Sequence, residues 1–332
     1  MTNPKYSIII PVYNRPDEVD ELLNSLAHQK YDNYEVIIVE DGSQVDCKEI
    51  VNRYNSRLSI KYFFKPNSGP GTTRNYGAER ASGKYFIFFD SDCIIPEHYF
   101  QEVDAELEKK SADAFGGPDK AHQSFSSVQK AINYSMTSFF TTGGIRGGKE
   151  RLDKFFPRSF NMGISKQAFV KIGGFSHLRF GEDIDFSIRI LKSGFSTRLF
   201  PKAYVYHKRR TDFRKFYKQV YNSGIARINL HLMHPGSLKI VHLLPSAFVI
   251  GTILMVAGAI ITPFTLIIPA FYSVLVLFHS LVINNNPKVA LLSIPASWVQ
   301  LFGYGIGFLS AVWKRLILKR KEFKAFEKNF YN

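Results

Sequence analysis

Two aspartates spaced i, i+2, Asp90 and Asp92, close the run Lys84-Tyr85-Phe86-Ile87-Phe88-Phe89. That run is nearly continuous in apolar residues and reads as a buried strand. A hydrophobic core does not accommodate two carboxylates, so they belong at the strand's carboxyl end, where open α/β sheets bind ligands. Side by side they can hold a hard divalent cation, and the cation can hold a diphosphate. The chain supplies its own control. Asp183-Ile184-Asp185 has the same spacing but opens a helical pattern, Phe186, Ile190 and Leu191, closed by Gly194. The pair alone is a weak motif, and a solvated strand end beside a helix cap accounts for it equally well.

The elements that would position these residues alternate. Tyr6–Val12 reads as a strand, followed by a helix over Pro16–His28 with Val19, Leu22, Leu23 and Leu26 on one face. Strand Glu35–Val39, helix Asp46–Asn55 and strand Ile60–Phe64 follow. The turn Asn67-Ser68-Gly69-Pro70-Gly71 then opens a helix through Ala81, stopped by Gly83, and Tyr85–Phe89 is the fourth strand. Pro96–Lys110 reads as a helix, Ala112–Gly117 as a strand entering a loop, and Asn161–Phe175 as regular structure. Residues 141–160 hold Gly143, Gly144, Gly147 and Gly148, which suits either a mobile loop or an ordinary surface connection. The alternation predicts a doubly wound, largely parallel sheet. In such a sheet Pro11 to Asn14, Glu40-Asp41, the helix carrying Arg74 and Asn75, and Asp90-Ser91-Asp92 meet along one edge. A carboxylate at the second strand end can accept a base N–H, and an arginine near a helix N-terminus favours phosphate.

The chain has 332 residues and a net charge of +15, both unevenly distributed. Residues 1–235 have the composition of a soluble α/β domain, whereas 236–332 read as a membrane-anchoring region. It contains three apolar segments, 240–261, 264–283 and 289–313, each long enough to cross a bilayer as a helix. The N-terminus runs straight into a strand with no secretory leader, so the large N-terminal part is expected in the cytosol. Lys208, Arg209, Arg210, Arg214, Lys215 and Lys218 precede the apolar segments, and Lys314, Arg315, Lys319, Arg320, Lys321 and Lys324 follow them. The positive-inside rule places both groups on the cytoplasmic side, but three full spans would separate them. One segment is therefore expected to be re-entrant or interfacial, and 289–313, with Pro295, Gln300, Gly303, Gly305 and Gly307, is the candidate. Basic residues clustered beside apolar segments point to anionic lipid headgroups and away from nucleic acid. Two cysteines, Cys47 and Cys93, offer neither a disulfide framework nor a zinc cluster.

Five motifs in combination carry a resemblance over roughly residues 5–230. They are Ile8-Ile9-Ile10-Pro11-Val12-Tyr13-Asn14, Val39-Glu40-Asp41-Gly42-Ser43, Gly71-Thr72-Thr73-Arg74-Asn75, Phe89-Asp90-Ser91-Asp92, and Gly173-Gly174-Phe175 with Gly181-Glu182-Asp183. The sequence resembles family 2 glycosyltransferases of the GT-A fold. Its trailing apolar segments resemble the subgroup typified by succinoglycan-type exopolysaccharide transferases. The resemblance implies an inverting transfer from a nucleotide-diphosphate sugar, commonly a UDP-sugar, to a lipid-linked saccharide. It implies a multi-pass protein of the inner cell membrane with a cytoplasmic catalytic domain.

By position, the resemblance makes Asp183 the catalytic base that deprotonates the acceptor hydroxyl. Pro11, Asn14, Asp41, Arg74, Asn75 and Asp90 fall to the donor, with Asp41 on the base and Asp90 on the ribose. The family usually has two aspartates where this chain has Glu40-Asp41. Asp92 would bind Mg²⁺ or Mn²⁺, and His207 stands where some relatives place a further metal ligand. Glu182 and Asn161 fall on the acceptor side, while Arg209, Arg210 and Gln219 lie in a segment that closes over the donor in relatives. A basic helix resting on the membrane surface reads the same three residues equally well. Two other functions stay open: a processive synthase, although no Gln-x-x-Arg-Trp motif is present, and a non-catalytic nucleotide-binding membrane scaffold. A glycoside hydrolase also uses two carboxylates but needs neither a nucleotide site nor a metal.

Overall fold

A computed structural model describes residues 3–142 and 155–320, and it divides into two compact units. The glycine-rich stretch with Gly143, Gly144, Gly147 and Gly148 lies outside the described residues. The first unit takes in residues up to Lys120 and the stretch from Gly148 to His207.

Its elements are β1 (Tyr6–Val12), α1 (Pro16–Ala27), β2 (Tyr34–Asp41), α2 (Lys48–Tyr54), β3 (Ile60–Lys65), α3 (Pro70–Ala78), β4 (Tyr85–Phe89), β5 (Cys93–Ile94), α4 (Tyr99–Lys109), β6 (Ala114–Gly116) and β7 (Asp119–Lys120). In the second unit lie α5 (Ser127–Thr137) and α6 (Phe139–Thr142). The chain then returns to the first unit with β8 (Asn161–Ser165), α7 (Lys166–Ile172), α8 (Glu182–Lys192), β9 (Thr197–Leu199) and β10 (Val205–His207).

The main sheet has the order β3-β2-β1-β4-β8-β6-β9. β3, β2, β1 and β4 are mutually parallel, as alternation of strand and helix requires. β8 runs antiparallel to both β4 and β6, so the sheet is mixed rather than doubly wound throughout. The reason is connectivity: β8 follows β4 only after the chain has left through β5, β6 and β7, and no single helical crossover joins the two.

Side-chain alternation divides the core. Ile8 and Ile10 pack with Leu22, Leu23, Leu26, Val36, Ile38, Phe89, Tyr99 and Phe100 on one face. Ile9, Ile37, Val39, Phe86 and Phe88 pack with Met162, Ile164, Phe169, Phe175 and Phe186 on the other. The two buried faces explain why β1 and β2 are apolar at nearly every position.

The second unit holds α5, α6 and α9 (Phe213–Met233), then α10 (Leu244–Gly258), α11 (Ile267–Asn284) and α12 (Pro287–Ala311). This unit begins at Lys208 and includes Ala121–Gly147, so it is larger than the 236–332 region expected from hydropathy. Two helical stretches are long and apolar enough to cross a membrane, Pro263–Asn284 and Pro287–Ile317, whereas α10 is shorter.

The segment 289–313, expected to be re-entrant or interfacial, is continuous helix. α12 is the longest helix among the described residues, at 25 residues, and runs through Pro295. Its glycines are contact points instead of breaks. A Cβ on Gly307 would meet the Tyr221 carbonyl oxygen of α9 at 2.1 Å, and one on Gly305 would meet the Pro245 carbonyl oxygen of α10 at 2.6 Å. Small residues there let neighbouring backbones approach closely.

Candidate active site

The carboxyl ends of the parallel strands and the start of α8 form one connected polar cluster in the first unit. α3 builds it. Its residues Gly71, Arg74 and Asn75 are spaced i, i+3, i+4 and share a helix face. Asn75 clamps the Gly-Gly-Phe turn from both ends: Phe175 N donates to Asn75 Oδ1 at 2.8 Å, and Asn75 Nδ2 donates to the Phe175 carbonyl at 2.8 Å. Gly174 is left-handed with φ +70°, and a Cβ there would meet Asn75 Oδ1 at 2.5 Å, so the clamp requires glycine.

Arg74 is buried at 3% exposure and forks between two acids. It donates to Asp90 Oδ1 at 2.6 Å from one terminal nitrogen and to Glu182 Oε1 at 3.0 Å from the other. Burial works against its charge, but Asp90 and then Glu182 outweigh that and hold the guanidinium more firmly protonated than usual.

Arg74 therefore joins the two acidic motifs. Asp183 has its own arginine: Arg158 Nε donates to Asp183 Oδ2 at 2.6 Å. Glu182 and Asp183 are both buried on the first turn of α8, yet they titrate in opposite directions. Burial and then the neighbouring Asp183 charge push Glu182 up to about 7, against the pull of Arg74. Asp183 is also penalised by burial, but Arg158 outweighs the penalty and holds its carboxyl below the usual range. A buried acid pair thus has one member near neutrality and the other ionised, an arrangement suited to acid–base work.

The metal ligands expected from the sequence also meet. A small sheet, β5-β10-β7, places His207 opposite Cys93 and Val205 opposite Asp119. His207 Nε2 lies 3.1 Å from Asp92 Oδ1, and its Nδ1 lies 3.9 Å from Asp119 Oδ2. Phe160 stacks on the imidazole with ring centres 4.9 Å apart, fixing its plane.

A carboxylate oxygen and an imidazole nitrogen converging in a partly exposed pocket fit Mg²⁺ or Mn²⁺. The buried Nδ1 makes no hydrogen bond among the described residues, and Asp119 Oδ2, at 3.9 Å, stands near it but beyond hydrogen-bond reach. Cys93 shares the cluster, but burial and then the Asp92 charge push its thiol far up, leaving it a poor ligand for a hard cation. Arg15 approaches Asp92 at 4.0 Å.

Other expected residues have structural partners of their own. Asn14 is left-handed at φ +51° and its Oδ1 accepts from Gln44 N at 2.7 Å and Val45 N at 3.1 Å, tying the first strand's loop to the second's. Pro11 sits within β1, half-buried. Asp41 pairs with Lys65 and accepts from Ser68 N and Gly69 N, each at 2.8 Å, pinning the turn that starts α3. Glu40 is fully buried and accepts from Cys47 N at 2.8 Å and from the Ser43 hydroxyl.

Asn161, expected on the acceptor side, is 1% exposed; it donates to the Ala203 carbonyl at 2.8 Å and accepts from Tyr99 OH at 2.6 Å. Its amide is consumed in bracing β8 inside the fold. Arg209, Arg210 and Gln219 belong to the second unit. There the Arg209 guanidinium donates to Asn133 Oδ1 at 3.0 and 3.1 Å, and its carbonyl accepts from Gln129 Nε2 at 3.0 Å. Arg210 is half-buried and Gln219 lies on α9.

Sequence reasoning missed Arg158 and Asp119. Their significance arises from long-range approach, and only an aspartate on a strand after two glycines hinted at Asp119.

Residues 7–173 match the family described as glycosyl transferase family 2, and the chain belongs to that family. Its catalytic region has the GT-A, Rossmann-like α/β architecture described above. An uncharacterized glycosyltransferase of Rickettsia bellii is 41% identical over 95 residues, covering 29% of this chain and 14% of that protein. The glycosyltransferase AglE of Haloferax volcanii is 26% identical over 268 residues, covering 75% of this chain and 82% of that protein. Among solved structures, a mannosyltransferase from Pyrobaculum calidifontis in complex with GDP-mannose and Mn²⁺ superposes with a TM-score of 0.64 at 14% identity, covering 95% of this chain and 89% of that one. The chain spans between 14% and 22% of the length of three Rickettsia relatives.

Proposed function

We propose that this protein is an inverting glycosyltransferase that moves a sugar from a nucleotide-diphosphate donor, a UDP-sugar by preference, to a lipid-linked saccharide. It would act at the cytoplasmic face of the cell membrane in surface-polysaccharide synthesis, as the resemblance to succinoglycan-type enzymes implies. The observation that carries this reading is the Arg74 fork. It joins Asp90, at the strand end that faces a donor in this fold, to Glu182, the neighbour of Asp183.

Asp183 takes the proton of the acceptor hydroxyl as its oxygen forms the bond to the anomeric carbon. The bond from that carbon to the diphosphate breaks on the opposite face, and the nucleotide diphosphate leaves with the electron pair. Asp183 is suited to this because it is ionised, and Arg158 fixes its orientation. Glu182, held by Arg74, lines the same helix start and orients the acceptor. Asp92 and His207 would hold Mg²⁺ or Mn²⁺, which when bound offsets the charge developing on the leaving diphosphate. The Mn²⁺ complex of the Pyrobaculum mannosyltransferase supports this choice of ion.

The test is a donor panel on protein in membranes. UDP-, GDP- and dTDP-sugars are offered with Mn²⁺, with and without lipid-linked saccharides, and nucleotide release is followed. Release with one donor, raised by the lipid acceptor and lost with a chelator, is expected. Tight nucleotide binding without release under any acceptor would favour the scaffold reading instead, and release independent of any divalent cation would remove the metal from the mechanism.

A further inference from the structure

The second unit's apolar helices are not equivalent. α12 is packed against protein over more of its surface, although Leu291 stays 59% exposed: Val289 and Ala296 pack with Ala131, Ile132 and Met136 of α5, Ile228 of α9 packs on Phe308 and Ala311, and Trp298 donates to Ser273 of α11 at 3.0 Å. Near the end of α12, Arg315 Nε donates to Asn229 Oδ1 of α9 at 3.1 Å. α9 carries exposed Arg214, Lys215 and Lys218, so the helix against which α12 lies is not one for hydrocarbon.

The α10–α11 pair behaves differently. Phe248 meets Tyr272 with ring centres 5.2 Å apart, and Thr265 donates to the Met255 carbonyl at 2.7 Å, so the two helices form an antiparallel hairpin. Its base is anchored: Val249 and Thr252 are buried on one arm, Val276 and Ser280 on the other. Ser280 shares a hydrogen bond with Ser293 at 2.7 Å, and the Tyr134 hydroxyl meets His279 Nδ1 at 2.7 Å. Between those anchors, from Ile253 to Leu275, no residue is buried. At the tip Ile260 is 89% exposed, Ile261 90% and Phe264 75%.

No Asp, Glu, Lys or Arg occurs between Lys239 and Lys288, which bracket the hairpin at its base. The other turn of this region, Asn284-Asn285-Asn286-Pro287-Lys288, is polar. Ser273 is tied to Trp298 of α12, so at 1.5 Å per residue the free part of the hairpin measures about 12 Å on the α10 arm, from Ile253, and about 12 Å on the α11 arm, as far as Phe271. A bilayer's hydrocarbon is about 30 Å thick. The free end therefore reaches through about one leaflet, and its most exposed residues are the least suited to water on a far side.

We propose that Ile253–Phe271 dips into the near leaflet of a lipid membrane and returns without crossing it, with α12 retained in the protein layer. Membrane attachment is then through one leaflet in place of a multi-pass arrangement. Both basic flanks, at residues 208–218 and 314–320, fall on one side, as the positive-inside rule asks. This rests on the membrane part of the function proposed above but not on its chemistry.

Single cysteines test it in the full chain, because Cys47 and Cys93 are each 1% exposed and give a silent background. Glu49→Cys, Lys288→Cys and Ile261→Cys are exposed to a membrane-impermeant maleimide in sealed right-side-out and inverted vesicles, and again after detergent. Glu49→Cys and Lys288→Cys are expected to label from the same side, and Ile261→Cys from neither side until detergent is added. Labelling of Ile261→Cys from the side opposite Glu49→Cys would overturn the proposal in favour of spanning helices. So would opposite labelling of Lys288→Cys. Labelling of Ile261→Cys together with Glu49→Cys in intact vesicles would show the tip outside lipid, and protection that persists in detergent would show a protein covering it. Loss of the chain from the membrane pellet would end the membrane reading, while sugar transfer is judged separately by the donor panel.

Discussion

The two acidic motifs of the first unit share Arg74 but handle charge in opposite ways. Asp90 and Asp92 stand at a strand end, where Asp90 keeps 31% of its side chain exposed and each finds a different partner, Arg74 or His207. Glu182 and Asp183 are adjacent on a helix turn, buried, and served by separate arginines. At the strand end the two acids have separate partners, an arrangement suited to carboxylates that hold a cation. At the helix start, burial lets only one acid ionise easily, which is what a proton transfer needs. The same residue type is thus assigned to metal or to proton by its burial and by the arginine it reaches.

The largest effect that would break this comparison is at the proton-handling end. Asp183→Asn is expected to cut transfer by about 10²–10⁴-fold, the usual worth of a general base. Nucleotide-sugar binding, measured by calorimetry, should stay within about twofold, since the amide retains one oxygen for Arg158. Near-normal turnover would move the base elsewhere. At the metal-handling end, Asp92→Ala should remove the Mn²⁺ dependence of donor binding, which titration of nucleotide with and without Mn²⁺ reads directly. Asp119→Asn removes a carboxylate charge 3.9 Å from His207 Nδ1 and is expected to weaken Mn²⁺ by no more than about tenfold, less than the loss of a hydrogen-bonded partner. If Asp119→Asn leaves Mn²⁺ affinity unchanged, the carboxylate behind His207 has only a folding role.

The fold was legible where one physical signal dominates. β1 and β4 have the bounds read from their apolar runs, because strands buried on both faces leave no other pattern. β8 was not recognisable as antiparallel, since nothing local records the direction from which a strand enters a sheet. Asp90 and Asp92 stood out because an acid is costly next to a core, whereas Glu182 and Asp183 were named only through the family motif. What those acids touch was not readable. Arg158 and Asp119 gain their meaning from contacts with residues distant in sequence. Arg74 and Asn75, read as donor contacts from their motif, also brace the Gly-Gly-Phe turn and the α8 start, which the motif did not show. Composition set α12 apart from the more apolar α11 but did not show what covers each: 44% of the most apolar window of α12 is buried and 11% of that of α11.

A subtler prediction sharpens the split between neighbours. Arg158→Lys keeps a charge near Asp183 but loses the planar donor that aligns it. Turnover is expected to fall about tenfold with KM little changed, and the acid limb of the pH–rate profile should move upward as Asp183 becomes less strongly ionised. A change in KM alone would make Arg158 an acceptor contact, with no positioning role.

The smallest effect is on stability, and its sign follows from the proton count. Glu182 is raised to about 7 from an unfolded value near 4.5, so between those values the folded chain holds the proton more tightly than the unfolded one. Stability from this group is fully present below about 4.5 and is lost as pH rises through about 7. Glu182→Gln cannot ionise and keeps an oxygen for Arg74. Its melting temperature should therefore fall less than that of the parent chain between pH 5 and pH 8, by a few degrees. The same substitution should erase any apparent pKa near 7 from the pH–rate profile while the Asp183 limb remains. If both the melting curve and the profile keep their pH dependence, the group titrating near neutrality is not Glu182, and the division of labour between the two buried acids fails with it.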